Sequence, residues 1–279
     1  MSVFRLPSDV AAGRTCNSGD ALAELRASGA KLVWFFRHGR STGNAARAAA
    51  MEDDKNAGGG TAHVHAYMTG PDYVDAHLTE QGIQQAVEAR TQVAAWATKP
   101  ELIVCSPLTR AIETAAIIFA EELRDGCSLT IRPELREFYP DNNENQGRAV
   151  DELQRCPKLR SLELWPVVEK ALADAAEADW RKEWDESWAC GSGWQHHCGS
   201  LQRLEPFQGW LRARPERNVA IVAHYGSINN LLNLEPFERD KEEAQKLRPW
   251  SGVQPATSLA PMKSFAIANC HWIAVLYEG

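Results

Sequence analysis

The stretch Lys31-Leu32-Val33-Trp34-Phe35-Phe36-Arg37-His38-Gly39-Arg40-Ser41-Thr42-Gly43-Asn44 decides the reading of the fold. Its first half is an unbroken apolar run between Lys31 and Arg37. Such a run, without polar alternation, predicts a strand covered on both faces, as in a parallel sheet. Its second half turns abruptly to Arg, His, Gly and small polar residues. That is the character of a strand end where open α/β sheets place their ligands.

Working outward, two more runs repeat the pattern. Leu102-Ile103-Val104-Cys105 leads into Ser106-Pro107-Leu108-Thr109-Arg110, and Val219 to Ala223 leads into His224-Tyr225-Gly226. Leu129-Thr130-Ile131 predicts a third buried strand in chain order, before Glu134-Leu135-Arg136-Glu137, and residues 264–277 predict one or two final strands. Helical patterns fall between them: 20–27, from the N-cap Thr79 to about Trp96, 109–123, 151–190 and 200–214. Residues 237–249 are charged and predict a helix or an excursion. The alternation predicts an α/β fold, a three-layer α/β/α sandwich with a mostly parallel central sheet and an antiparallel edge strand. Residues 1–30 read as a lead-in. Residues 45–76, with Glu52-Asp53-Asp54, Gly58-Gly59-Gly60 and few aliphatics, read as a long loop with at most a helical turn near its start.

Composition narrows the function classes. The 279 residues are 44% apolar and 24% charged, which excludes fibrous and low-complexity chains and fits a single domain over 1–279. Thirty basic against 37 acidic residues give a net charge of −7. Nucleic acid is therefore not the expected partner, because neutralising its phosphates takes clustered cations. No run approaches the ~18 apolar residues of a membrane span, and the first residues lack a long apolar core, so no membrane and a cytoplasmic location are expected. The seven cysteines are odd in number and scattered, which predicts reduced thiols. The oligomeric state is not legible.

The polar strand ends form a coherent chemical kit. Arginine's planar fork pairs with phosphate oxygens. A neutral imidazole is a nucleophile near neutral pH, and a protonated one stabilises a transferring phosphoryl group. A carboxylic acid can protonate a leaving oxygen and then act as base toward water. Together these residue types describe phosphoryl transfer through a phosphohistidine, with no cofactor and no metal.

Five stretches carry a resemblance. Arg37 to Asn44 is similar to the Arg-His-Gly-x-Ser-x-x-Asn signature of the histidine phosphatase superfamily, the phosphoglycerate-mutase-like proteins of branch 1. Asp75 to Gly82 with Gln85-Ala86, Ser106 to Ala111 with Thr114-Ala115, Leu135-Arg136-Glu137, and Ala223 to Gly226 resemble the later motifs in order and spacing. The resemblance implies His38 as nucleophile and Glu137 as general acid, with Glu134 a rival for that role. It implies Arg37, Arg110 and His224 on the phosphate, with Asn44 beside it, a contact from Ser41, and the backbone following His224 (Tyr225, Gly226) facing the anion. The Gly39 carbonyl would fix the tautomer of His38. Two positions depart from the pattern: Arg40 stands where an acidic or polar residue is common, and Tyr225 where glycine usually follows the second histidine.

After Glu137 the chain lacks the Tyr-Gly step and arginine pair of the glycolytic mutases. This favours a phosphatase-type member, hydrolysing a small phosphorylated metabolite, with a cap-like helical insertion over 138–200. The alternatives are mutase-type transfer and a non-catalytic phospho-ligand binder. Within the insertion, Arg148, Arg155, Lys158 and Arg160 read as solvated charges before anion ligands. Trp180, Trp184 and Trp188, at a spacing of four, read as packing. Cys190, His196, His197 and Cys198 match no familiar zinc spacing. His63 and His65 read as surface residues.

Overall fold

The computed structural model describes residues 3–5, 29–137, 143–177, 204–232 and 268–278. Its strands are β1 (Val3–Arg5), β2 (Lys31–Arg37), β3 (Leu102–Cys105), β4 (Ser128–Ile131), β5 (Asn218–Ala223) and β6 (Trp272–Glu278). Its helices are α1 (Thr42–Asn56), α2 (Ala62–Thr69), α3 (Glu80–Ala94), α4 (Thr109–Ile118), α5 (Ala120–Arg124), α6 (Val150–Arg155), α7 (Pro157–Arg160), α8 (Trp165–Glu177), α9 (Leu204–Ala213) and α10 (Tyr225–Leu231).

The strands form one sheet in the order β1-β6-β2-β5-β3-β4. β2, β5, β3 and β4 pair in parallel, while β6 pairs antiparallel with both β2 and β1. The expected antiparallel strand therefore lies one place in from the edge, because the lead-in contributes β1 outside it. β3 is buried end to end and β2 and β5 along their interiors, as their unbroken apolar runs require, while the edge strand β4 alternates and exposes Ser128. Side chains alternate across β2. Leu32, Trp34 and Phe36 pack with Ala86 and Val93 of α3 and Ile112 and Ala115 of α4. Val33 and Phe35 pack with Leu204, Phe207 and Leu211 of α9 and Ile228 of α10 on the opposite face. Trp34 stacks on Trp96 at 4.8 Å between centroids, and Phe36 meets Phe119 edge-on at 5.2 Å.

Residues 45–76 are not a loop. The Ser41 hydroxyl accepts the Asn44 amide (3.0 Å), and the Asn44 side chain accepts the Ser41 amide in return, so a capping box starts α1. Alanine-rich sequence then carries the helix. Across the glycine turn, the Asp54 carboxylate accepts the His63 and Val64 amides (2.9 and 3.0 Å) at the start of α2. Low aliphatic content misleads here because alanine supports a helix without announcing a core face.

The helical region after the acid is present as α6, α7 and α8. They pack against α4 and β4, and Leu153, Leu159, Val168 and Leu172 join the same core as α3 and α4. The predicted helix 109–123 is broken at Phe119, and 151–190 is broken at Cys156-Pro157 and again over 161–164. The α7 start follows Pro157, which fits only the first turn of a helix. α10 was not expected. The tryptophans at 180, 184 and 188, the Cys190–Cys198 group and residues 237–249 lie outside the described residues.

Candidate active site

The chemistry collects where β2, β3 and β5 end. A sharp turn follows β2, held by two close approaches. A Cβ at Gly82 would lie 2.2 Å from the Arg40 carbonyl oxygen, and one at Gly43 would lie 2.0 Å from Glu144 Oε2. At Gly82 only glycine lets α3 come this near the backbone of the turn, whereas the neighbour of Gly43 is the Glu144 side chain. The Gly39 amide donates to Thr114 Oγ1 (3.0 Å), and Asn269 Nδ2 donates to the His38 carbonyl (2.8 Å).

His38 is nearly sealed from solvent, and its Nδ1 stands 2.7 Å from the Gly39 carbonyl. A carbonyl only accepts, so Nδ1 carries the proton. Arg110 Nε donates to the other ring nitrogen, Nε2, at 3.3 Å. Both contacts demand the same tautomer, neutral with its lone pair on Nε2. Burial, then the Arg110 and Arg37 charges, hold the ring well below the ordinary histidine pKa. His38 is thus kept as a neutral imidazole with its unprotonated nitrogen facing a guanidinium.

His224, at the end of β5, is fully buried, and its ring centroid lies 4.9 Å from that of His38, tilted by 55°. Its Nε2 is 2.7 Å from Ser106 Oγ. The next residues turn into α10, with Ser227 Oγ accepting the His224 amide. Arg110, also buried, donates from its two terminal nitrogens to the Glu144 carbonyl (2.6 Å) and Asn145 Oδ1 (2.7 Å). Arg37 lies 5.8 Å from the Tyr225 ring centroid, so the unusual tyrosine stacks on a site cation. Burial lowers the Arg37 pKa, and the carboxylates of Glu137 and Glu144 oppose that.

The two candidate acids separate cleanly. Glu137 Oε2 accepts the Gly226 amide at 3.2 Å and interacts with the Arg37 charge. Glu134 is clamped by Arg132, whose guanidinium lies over the Trp210 ring at 4.9 Å. Ser41 and Asn44 close the α1 capping box, and Ser41 is fully buried in that role. Arg40 points away, donating to Gln81 Oε1 (2.9 Å). Arg148 pairs with buried Asp75 (3.2 Å), while Arg155, Lys158 and Arg160 are exposed. His63 pairs with Asp54 at 2.8 Å, and both His63 and His65 are exposed. Sequence reasoning gave no role to Ser106, Thr114, Glu144, Asn145 or Asn269. Ser106 and Thr114 sat in quoted motifs. Glu144 and Asn145 come from a polar stretch with no periodicity to say which side chain turns inward, and Asn269 is an isolated polar residue inside the mostly apolar run 264–277.

The model of the histidine phosphatase superfamily (branch 1) matches residues 71–166. Phosphoglycerate mutase-like protein 1 of Arabidopsis thaliana is 27% identical over 232 residues, covering 73% of this chain and 71% of that protein. Among solved structures, mycobacterial glucosyl-3-phosphoglycerate phosphatase with VO3 is 22% identical, covering 89% of this chain and 96% of its own, with a TM-score of 0.42. The alpha-ribazole phosphatase from Shigella flexneri is also 22% identical, covering 76% and 84%, again with a TM-score of 0.42. The family match falls on the segment bearing Asp75, Arg110 and Glu137, and over that segment this chain is similar to the histidine phosphatase superfamily, branch 1.

Proposed function

We propose that this protein is a metal-independent phosphomonoesterase acting on a small phosphorylated metabolite through a phosphohistidine on His38. One observation carries the reading. The neutral His38 Nε2 faces Arg110 beside the second buried imidazole, 4.9 Å away, so one bound phosphoryl group can touch all three.

In the first step Nε2 attacks phosphorus while the ester oxygen leaves with a proton from Glu137. In the second, Glu137 takes a proton from water, the resulting hydroxide attacks the phosphohistidine, and His38 regains its lone pair as phosphate departs. Arg37, Arg110 and His224 surround the equatorial oxygens and offset their charge, the work a metal does in other phosphatases. Ser106 orients His224. A non-catalytic binder has no use for a carboxylate beside Arg37 and the Gly226 amide, which favours the enzyme.

The mutase alternative draws on the resemblance to a mutase-like relative. Hydrolysis of para-nitrophenyl phosphate with and without chelator tests the main reading. Unchanged release of phosphate is expected, and strict dependence on added metal would overturn it. Interconversion of 3- and 2-phosphoglycerate with little free phosphate would favour the mutase.

A further inference from the structure

The turn before β6 reaches the candidate site, and neither the sequence motifs nor the proposed chemistry gives it a role. His271 N donates to the Ala268 carbonyl (3.0 Å), and between them Cys270 stands in the left-handed region at φ 59°. A residue with a side chain keeps that conformation only where its surroundings hold it. Here the backbone does so: Cys270 N donates to the Arg37 carbonyl (3.0 Å), and Arg37 N donates to the His271 carbonyl (3.1 Å). The Cys270 sulfur also lies against Gly39, where an added Cβ would come within 3.2 Å of it. The turn is therefore bound to the residues on both sides of His38.

Asn269 is the polar side chain of this turn. Its Nδ2 donates to the His38 carbonyl at 2.8 Å and to Asn44 Oδ1 at 3.4 Å. A side-chain amide has two N–H donors, so both are engaged. The Ser41 amide donates to the same Asn44 Oδ1 at 3.4 Å. Two donors converging on one atom decide which way the Asn44 amide is turned, because the reversed amide would set its own N–H groups against both. Oδ1 thus faces Ser41 and Asn269, and Nδ2 is the opposite end of the group. Among the described residues nothing accepts a hydrogen bond from that Nδ2. An N–H favours a neighbouring anion, whereas a carbonyl oxygen repels it.

We infer that Asn269 is a positioning residue of the phosphate pocket: one NH2 group holds the carbonyl of His38 and the amide oxygen of Asn44, so that Asn44 offers an N–H to the anion. Asn269 touches no reacting atom and acts through Asn44. The inference rests on the proposed reading for the place of the anion, a phosphoryl group at His38 Nε2 with Asn44 beside it.

The experiment is a double-mutant cycle on the full-length protein, with Asn269→Ala and Asn44→Ala made singly and together. Isothermal titration with inorganic phosphate gives the affinity, and steady-state hydrolysis of para-nitrophenyl phosphate gives kcat and KM. Asn44→Ala should weaken phosphate binding by about tenfold, as for loss of one hydrogen bond to a charged group. Asn269→Ala should come close to the same loss and raise KM more than it lowers kcat. Added to Asn44→Ala, it should weaken binding by less than about twofold more, because the amide it orients is gone. Asn269→Asp keeps the size of the side chain and loses both donors, so it should bind phosphate at least as weakly as Asn269→Ala. An equal loss from Asn269→Ala in both backgrounds, or near-wild-type affinity in Asn269→Asp, overturns the inference and leaves Asn269 a staple of the turn. Phosphate titration reads the cycle even if the wild type hydrolyses no ester, an outcome that contradicts the proposed reaction alone. A wild type that neither binds phosphate nor hydrolyses the ester overturns both.

Discussion

The two ends of the central parallel strands carry the same kinds of residues and use them in opposite ways. At the amino-terminal ends, Arg214 and Glu216 neutralise each other and amides saturate Glu101, while Lys31 is held by carbonyls. Arg214 Nε donates to Glu216 Oε2 (2.8 Å), Glu101 Oε2 accepts the Arg217 and Asn218 amides, and Lys31 donates to the Glu216 carbonyl (2.9 Å). At the carboxyl-terminal ends, Arg110 is given a ring nitrogen, a carbonyl and an amide oxygen, all neutral acceptors. Its hydrogen bonds fix the guanidinium without cancelling its charge. A guanidinium matched to a carboxylate holds the fold, whereas one held by neutral oxygens keeps its field for an anion. The sheet thus separates a structural end from the candidate active site with one set of residue types.

The largest expected effect breaks the candidate active site outright. His38→Ala should lower para-nitrophenyl phosphate turnover by about 10⁴-fold or more, since the covalent route is lost. Steady-state kinetics checks this, and turnover within tenfold of wild type would contradict it. Glu137→Gln should lower kcat by about 10²–10⁴-fold. The loss should ease for substrates with good leaving groups, which need less protonation, and an equal loss across a leaving-group series would reassign the acid.

A subtler change makes the active-site end resemble the structural one. Asn145→Asp would put a carboxylate where Arg110 now finds an amide oxygen 2.7 Å away. Phosphate inhibition should weaken by about tenfold or more with little change in thermal stability, because the new charge competes for the guanidinium. Isothermal titration with inorganic phosphate reads this directly, and unchanged affinity would show that the neutrality of the Arg110 acceptors is incidental.

The smallest effect lies at the far end. Glu216→Gln should leave turnover unchanged and cost at most about 1 kcal/mol, because the pair with Arg214 is partly solvated. Arg214 holds the Glu216 carboxyl below its ordinary value against burial. The stabilisation is therefore present above the unfolded carboxylate pKa and is lost as pH falls through the depressed folded value. The gap in melting temperature between variant and wild type should be seen at pH 7 and close in strong acid. A gap that widens on acidification would reverse the sign.

This contrast also explains what the sequence discloses. Apolar runs announce strands, and a polar residue directly after such a run lands at the strand end. Arg37, His38, Arg110 and His224 were legible for that reason, and the motifs around them supplied their order. The same logic located β2, β3, β4 and β5 nearly residue for residue. It failed where contacts come from stretches without a pattern. Asn145 reaches Arg110 from a run of polar residues in which any neighbour looks equally eligible. The motif spacing favours Glu137 but leaves Glu134 as a rival, and the Arg132 clamp shows where Glu134 is held. Alanine-rich α1 hid its helix for want of a hydrophobic stripe, and β1 is too short to signal a strand.

The account rests on His38 Nε2 as the atom that takes the phosphoryl group. The direct measurement mixes wild type and Glu137→Gln with para-nitrophenyl phosphate, quenches in alkali, where phosphohistidine survives, and maps the modified peptide by mass spectrometry. The account predicts one phosphoryl group on His38, enriched in the Glu137 variant and absent from His38→Ala. Rapid turnover with no phosphoryl group on His38, or with the label on a serine or carboxylate, would contradict it.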